Sequence, residues 1–190
     1  MELLLEFSKN FKEFELQIRA LSAVAGSLLF IVSLFTFISR KNNAHKEDIS
    51  IVSLFARLMF CIFLMDLDVV LSASTESIFA VNEAAEVGNY LSALDSANPE
   101  TAIRASLLAG CTVLGRIFGF LAGIAGWQAG GETNDLERRK HYRNAFFRWI
   151  AAVIFVSADP VTQLIFPVDG DVDFSVTGLI EVGFKGSQIT

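Results

Sequence analysis

Residues 105–127 read ASLLAGCTVLGRIFGFLAGIAGW, and this stretch limits the possible folds more than any other. At about 1.5 Å of rise per residue, one helix of this length crosses a hydrocarbon layer of roughly 30 Å. Gly115, Gly119 and Gly123 recur every four residues within it. With about 100° per residue, Cys111, Gly115, Gly119, Ala122, Gly123 and Gly126 share one sector about 120° wide. In lipid such a stripe lets two helix backbones approach closely, and dispersion then holds them together. A sequence-only alternative is that Gly and Ala are simply frequent in membrane spans. Arg116 sits at the edge of the stripe, halfway along the span. A cation at that depth is expensive unless it faces protein, water or a partner.

The rest of the composition agrees with a small polytopic membrane protein. Of 190 residues, 53% are hydrophobic and only 19% charged, and mean hydropathy is +0.50. The net charge of −6 argues against a basic nucleic-acid-binding surface over the whole chain. Cys61 and Cys111 both lie in apolar runs, as buried small hydrophobes would, and have no metal-ligand spacing. His45 and His141 lie in polar segments and read as solvated. The first apolar run is too long for the h-region of a secretory signal.

In chain order, residues 1–19 hold an amphipathic N-terminal helix. Leu4, Phe7, Phe11 and Phe14 form its apolar face; Glu6, Lys9, Lys12, Glu13 and Glu15 form the other. It could lie in the membrane interface, dock on a neighbouring subunit, or simply extend the first span. Residues 20–71 form a first transmembrane hairpin, with spans at 20–39 and 51–71 and a polar turn carrying Arg40, Lys41 and Lys46. Arg57 enters its second span, and Asp66 and Asp68 close it. Residues 72–103 are an acidic external loop with a short helix expected over 76–94 and a turn at Asn98-Pro99. Residues 104–166 form a second hairpin. Its spans at 105–127 and 146–166 flank a basic loop with Arg138, Arg139, Lys140 and Arg143. Arg148 opens the last span, and Asp159-Pro160 should kink or end it. Residues 167–190 are an acidic polar tail. Asp169, Asp171 and Asp173 alternate as in a calcium loop but lack the Glu at its twelfth position.

The fold class expected is therefore an all-α membrane protein of four spans in two tandem hairpins, plus the N-terminal helix. Lys and Arg bias a loop towards the cytoplasm. Both tight turns should be cytoplasmic, with the termini and acidic loop outside. The halves also resemble each other. Ile18-Arg19-Ala20 matches Ile103-Arg104-Ala105, and Asp68 follows Arg57 by eleven residues as Asp159 follows Arg148. Two spans per unit preserve direction, so the duplication would be parallel. Eleven residues is about 16 Å along a helix, too far for a bridge within it. Pairing must then be between helices, and Arg116 with Asp66 or Asp68 is the favoured intramembrane pair. Arg57 and Arg148 could alternatively snorkel to the cytoplasmic face.

No phosphate loop, nucleophile elbow, zinc-protease motif, paired-cysteine motif or dinucleotide fingerprint is present, which argues against an enzyme. The charged loop after the first span, Arg57 entering the second, and the Gly115–Gly126 run leading to Gly130-Gly131 resemble one known layout. It is that of the small inner-membrane IcmC/DotE proteins of type IVB secretion, called TraQ in IncI-type conjugation systems. Each hairpin is also similar to a type IV conjugative pilin before assembly. The resemblance implies a non-enzymatic structural subunit in a bacterial inner membrane or, once assembled, in an extracellular filament. It would pack with itself as a homo-oligomer or filament and with other secretion subunits. The basic turns would meet lipid head groups or passing DNA, with protein as another transient substrate. No cofactor is implied, bound phospholipid aside. The alternative is a small ion or solute transporter using Arg57, Asp66, Asp68, Arg116, Arg148 and Asp159, since intramembrane charges are candidate functional groups.

Overall fold

The computed structural model describes residues 2–42, 51–79 and 99–158, all helical apart from short breaks. Five helices stand among them: α1 (Glu2–Asn42), α2 (Ile51–Met65), α3 (Leu67–Phe79), α4 (Pro99–Gly131) and α5 (Asp135–Val156). The fold is all-α. Asn10–Ser39 and Ser106–Gly131 are long and apolar enough to cross a membrane, and Ile51–Met65 is a shorter apolar helix.

Several boundaries differ from the sequence expectation, each for a local reason. The N-terminal segment is not a separate helix. It runs into the first span as one 41-residue rod, because nothing between Glu2 and Asn42 stops a helix. The single glycine, Gly26, and the absence of proline leave the backbone ladder intact. The second span likewise does not end at residue 71. α2 and α3 are separated only at Asp66, whose N–H donates to the Ile62 carbonyl at 3.0 Å while its carbonyl accepts from Val70 at 3.1 Å. The helix continues to Phe79, and residues 80–98 lie outside the described residues. Pro99 begins α4, where its fixed φ is pre-organised and its missing N–H costs nothing.

The basic stretch after Gly131 is helical as well. Asn134 caps α5: its Oδ1 accepts from the Leu136 N–H at 2.9 Å. Asp135 and Glu137 fill the first turn, where carboxylates complement the helix dipole. Arg138, Arg139, Lys140 and Arg143 thus project from α5, and only residues 132–134 connect it to α4.

The chain divides into two compact units. One holds residues 17–70 and 116–152, the other residues 1–16, 71–115 and 153–190. In the first, contacts fix the helix directions. Arg19 reaches Asp68, while Gly26 lies against Cys61 and Met65, so α1 and α2–α3 are antiparallel. Leu64 meets Gly123, Phe60 meets Gly126 and Arg57 meets Gly130, so α2 and α4 are antiparallel too. Phe60 packs on Tyr142 at 6.4 Å and Phe63 packs edge-on to Trp149 at 4.7 Å, aligning α2 with α5. In the other unit, Phe11 lies beside Gly110 and the Ser157 hydroxyl donates to Thr75 Oγ1 at 3.2 Å.

The core holds Ile18, Leu64, Leu67, Leu71 and Leu108, but polar side chains share it and many large apolar ones lie outside. Ser22, Ser33, Thr75, Thr112, Arg116 and Ser157 are buried, whereas Leu28, Ile31, Phe35, Phe55, Met59, Phe146 and Phe147 are exposed. Three of these hydroxyls are satisfied within their own helix. Ser33 donates to the Leu29 carbonyl at 2.7 Å, Thr75 to Leu71 at 3.0 Å and Thr112 to Leu108 at 2.9 Å.

Candidate functional site

The charged groups gather around Asp68, on the first turn of α3. Asp68 Oδ1 accepts from Arg116 Nε at 2.7 Å, and Asp68 Oδ2 lies 2.8 Å from Arg19 Nε. One carboxylate therefore ties α1, α3 and α4 together, one oxygen to each arginine. Arg116 is 2% exposed, and Arg19 and Asp68 are about a third exposed, at 35% and 33%. Of the two aspartates at the end of the second span, Asp68 takes Arg116, and Asp66 stands exposed on the opposite side of the helix turn.

The break at Asp66 belongs to this site. A recess of about 210 Å³ opens beside it, lined by Arg19, Asp66, Asp68 and the apolar Leu64, Met65, Leu67 and Val69. Its wall carries both signs of charge on an aliphatic floor. A charge-assisted hydrogen bond such as that from Arg116 to Asp68 is roughly twice as strong as a neutral one. Away from water it also avoids the penalty of an isolated buried ion. The arrangement is a cross-link whose chemistry is electrostatic and positional.

A second polar group surrounds Trp127. Its Nε1 donates to Ser33 Oγ at 2.9 Å, and the Arg57 guanidinium lies 5.1 Å from its ring centroid. Arg57 lies in the notch left by Gly130 and Gly131; a methyl on Gly130 would stand 2.9 Å from Arg57 Cγ. Ser53 Oγ donates to the Gly130 carbonyl. The Gly-Gly pair is thus a seat for Arg57 within the last turn of α4.

Gly115, Gly119, Gly123 and Gly126 are all buried. A methyl on Gly123 would run into the Leu64 side chain, and one on Gly126 into the Phe60 ring. At Gly123 and Gly126 the face expected to clasp another helix clasps α2. Arg148 donates from Nη1 to the Leu121 carbonyl at 3.2 Å, so its guanidinium reaches back along α4. Arg138 pairs with Asp135, and Lys140 with Glu137 at 3.4 Å. Arg40 and Lys41 stand in the last turn of α1, while Lys46, Asp159 and the aspartates at 169, 171 and 173 lie outside the described residues. Cys61 and Cys111 are free thiols.

Sequence reasoning missed four of these residues. Arg19 was noted for the repeat but not for Asp68. Gly26 carries the tightest backbone approach: a methyl there would lie 2.8 Å from the Cys61 carbonyl oxygen and 2.9 Å from the Met65 nitrogen. The spacing of Ser22 and Gly26, small residues four apart on one helix face, was the available signal. Ser33 and Trp127 gave none, because they are 94 residues apart.

Comparison with known proteins finds no matching family model, no matching curated protein and no matching solved structure.

Proposed function

We propose that this chain is a membrane-inserted, non-enzymatic structural subunit of an assembly of the conjugation or type IVB secretion kind. Four spans cross the bilayer as two hairpins, with the Lys/Arg-rich ends of α1 and α5 on the cytoplasmic side. The observation that carries the reading is the surface: α1, α2 and α5 expose many large apolar side chains, while Arg116 and several hydroxyls share the interior with Leu64, Leu71 and Leu108. In water such a surface would drive aggregation, whereas in a bilayer it is the solvated face. Because α2 fills the glycine face at Gly123 and Gly126, contacts with further copies or companion subunits fall to the outward faces of α1, α2 and α5.

The test has two parts. The full chain in its host membrane should resist alkaline carbonate extraction. A photo-crosslinking side chain placed at Phe35 or Phe55 should capture a second copy or a companion subunit. Release by carbonate ends the membrane reading, and a strictly monomeric, uncrosslinked protein ends the assembly reading.

One observation favours a second reading. The recess beside Asp66 and Arg19 is the kind of polar pocket through which a small transporter binds its solute. A solute flux in liposomes that disappears in Asp66→Asn would establish that reading in place of the first.

A further inference from the structure

The outer face of α5 changes character along its length. At about 100° per residue, Leu136, Arg139, Arg143, Phe146, Phe147 and Ile150 fall within one sector about 100° wide. All six side chains are exposed. After Leu136 in the first turn, the order is two cations, then two aromatic rings, then an aliphatic side chain. Arg139 and Arg143 are about 6 Å apart along the axis, and the rings follow roughly 5 Å further on. The carboxylates nearby are engaged elsewhere: Asp135 holds Arg138 and Glu137 holds Lys140. Arg139 and Arg143 have no ion-pair partner among the described residues.

Water, head group and acyl chain follow one another over about the same distance at a bilayer surface, and aromatic rings favour the boundary. With Phe146 and Phe147 at that boundary, both guanidiniums come level with the lipid phosphates. We propose that Arg139 and Arg143 together bind the head group of an acidic phospholipid, rank by rank with the aromatic belt below it. Arginine suits this role because its planar fork grips phosphate oxygens in pairs. The inference rests on the membrane reading above and adds to it a lipid class and two residues.

The full-length protein is reconstituted in vesicles of phosphatidylcholine containing a spin-labelled probe lipid, either phosphatidylglycerol or phosphatidylcholine. The motionally restricted fraction of each probe gives its relative affinity for the protein. Wild type is expected to hold phosphatidylglycerol several-fold more tightly, with the preference falling as salt rises. Each arginine is worth about a five-fold factor at such a surface. Arg139→Gln combined with Arg143→Gln should remove most of the preference while helix content stays the same; Arg138→Gln, already paired with Asp135, should remove little. Equal affinity for both probes in wild type overturns the proposal, as does a preference that survives the double substitution. Short duplex DNA bound by wild-type vesicles and not by the double variant, with no lipid preference, would also overturn it in favour of nucleic acid. Protein that restricts neither probe and washes off the vesicles would overturn the membrane reading itself.

Discussion

Helices α1 and α4 are the two long apolar rods of the chain, and they are built for different neighbours. In its most apolar 18-residue window, 17% of α1 is buried, against 50% of α4. The outside of α1 carries Leu21, Val24, Leu28, Ile31 and Phe35, whereas the buried positions of α4 include Ala109, Ala122, Ala125 and Ala129 beside the glycines, along with Leu108 and Val113. On α1 large side chains point away from protein, and on α4 mostly small ones point towards it. In water the hydrophobic effect would impose the opposite. In lipid it does not act between helices, and close packing selects small residues at the contact. The difference between the helices is thus a difference in which surface meets protein.

Gly26 is where α1 departs from its own rule, so it offers the largest effect. Gly26→Leu would press a branched side chain onto the backbone of Cys61 and Met65, which cannot swing aside. The expected cost is about 3 kcal/mol or more, enough to separate α1 from α2. Denaturing-detergent titration of the purified protein should show the transition shifted or lost. Retention of wild-type stability would mean that α1 does not rest on α2 at this point.

Next comes Asp68, which serves both rods. Asp68→Leu leaves the Arg19 and Arg116 guanidiniums facing each other without the carboxylate between them. Removing one member of a buried ion pair costs about 3–5 kcal/mol, and the exposure of Asp68 and Arg19 places this site at the lower end. Adding Arg116→Met to Asp68→Leu should recover much of the loss in the same titration, because no buried cation is then left over. A double variant no more stable than the single one would show that the cluster's worth lies elsewhere than in charge.

The sequence made the helices legible because hydropathy and the scarcity of Pro are local properties. It located the close-packing face of α4 from the glycine period, since residues four apart must share a face whatever the partner. Which helix would fill that face was not legible. Leu64 and Phe60 are ordinary apolar residues, and nothing in their own neighbourhood marks them as knobs for Gly123 and Gly126. Arg116 was readable as a group needing a partner, and the carboxylates within reach were few enough to leave Asp66 and Asp68. The choice of Asp68, and its sharing with Arg19, depended on how α3 is rotated after the break at Asp66. Helix ends were the least legible feature. Polar composition at 72–75 and basic composition at 135–143 suggested loop, yet neither stretch contains Gly or Pro, and a charged helix is as stable as its caps allow.

A smaller effect separates α4 from a generic lipid-facing helix. Trp127→Phe keeps the ring but removes the donor to Ser33. Ser33 is buried and still donates to the Leu29 carbonyl, so the loss is about 1 kcal/mol. Trp127→Ala should cost more, because the aromatic face beneath Arg57 goes with it. Equal losses for the two substitutions would assign the whole contribution to the hydrogen bond.

The smallest effect tests the outer face of α1. Phe35 is 74% exposed, so Phe35→Ala removes a ring with little protein around it in the single chain. On the proposed membrane reading lipid tails solvate either residue, and the change in unfolding free energy should stay within about 0.5 kcal/mol. That null result discriminates only when set beside a measurement of association. If Phe35→Ala leaves unfolding unchanged but weakens pairing of two differently tagged copies in one membrane, the face that looks solvated in isolation is an assembly surface. If unfolding itself shifts by 1 kcal/mol or more, α1 is packed against protein in the state measured. The low burial of α1 would then be a property of the lone chain. If neither quantity moves, the contacts between subunits belong to α2 and α5, where Phe55, Phe146 and Phe147 are further large exposed rings.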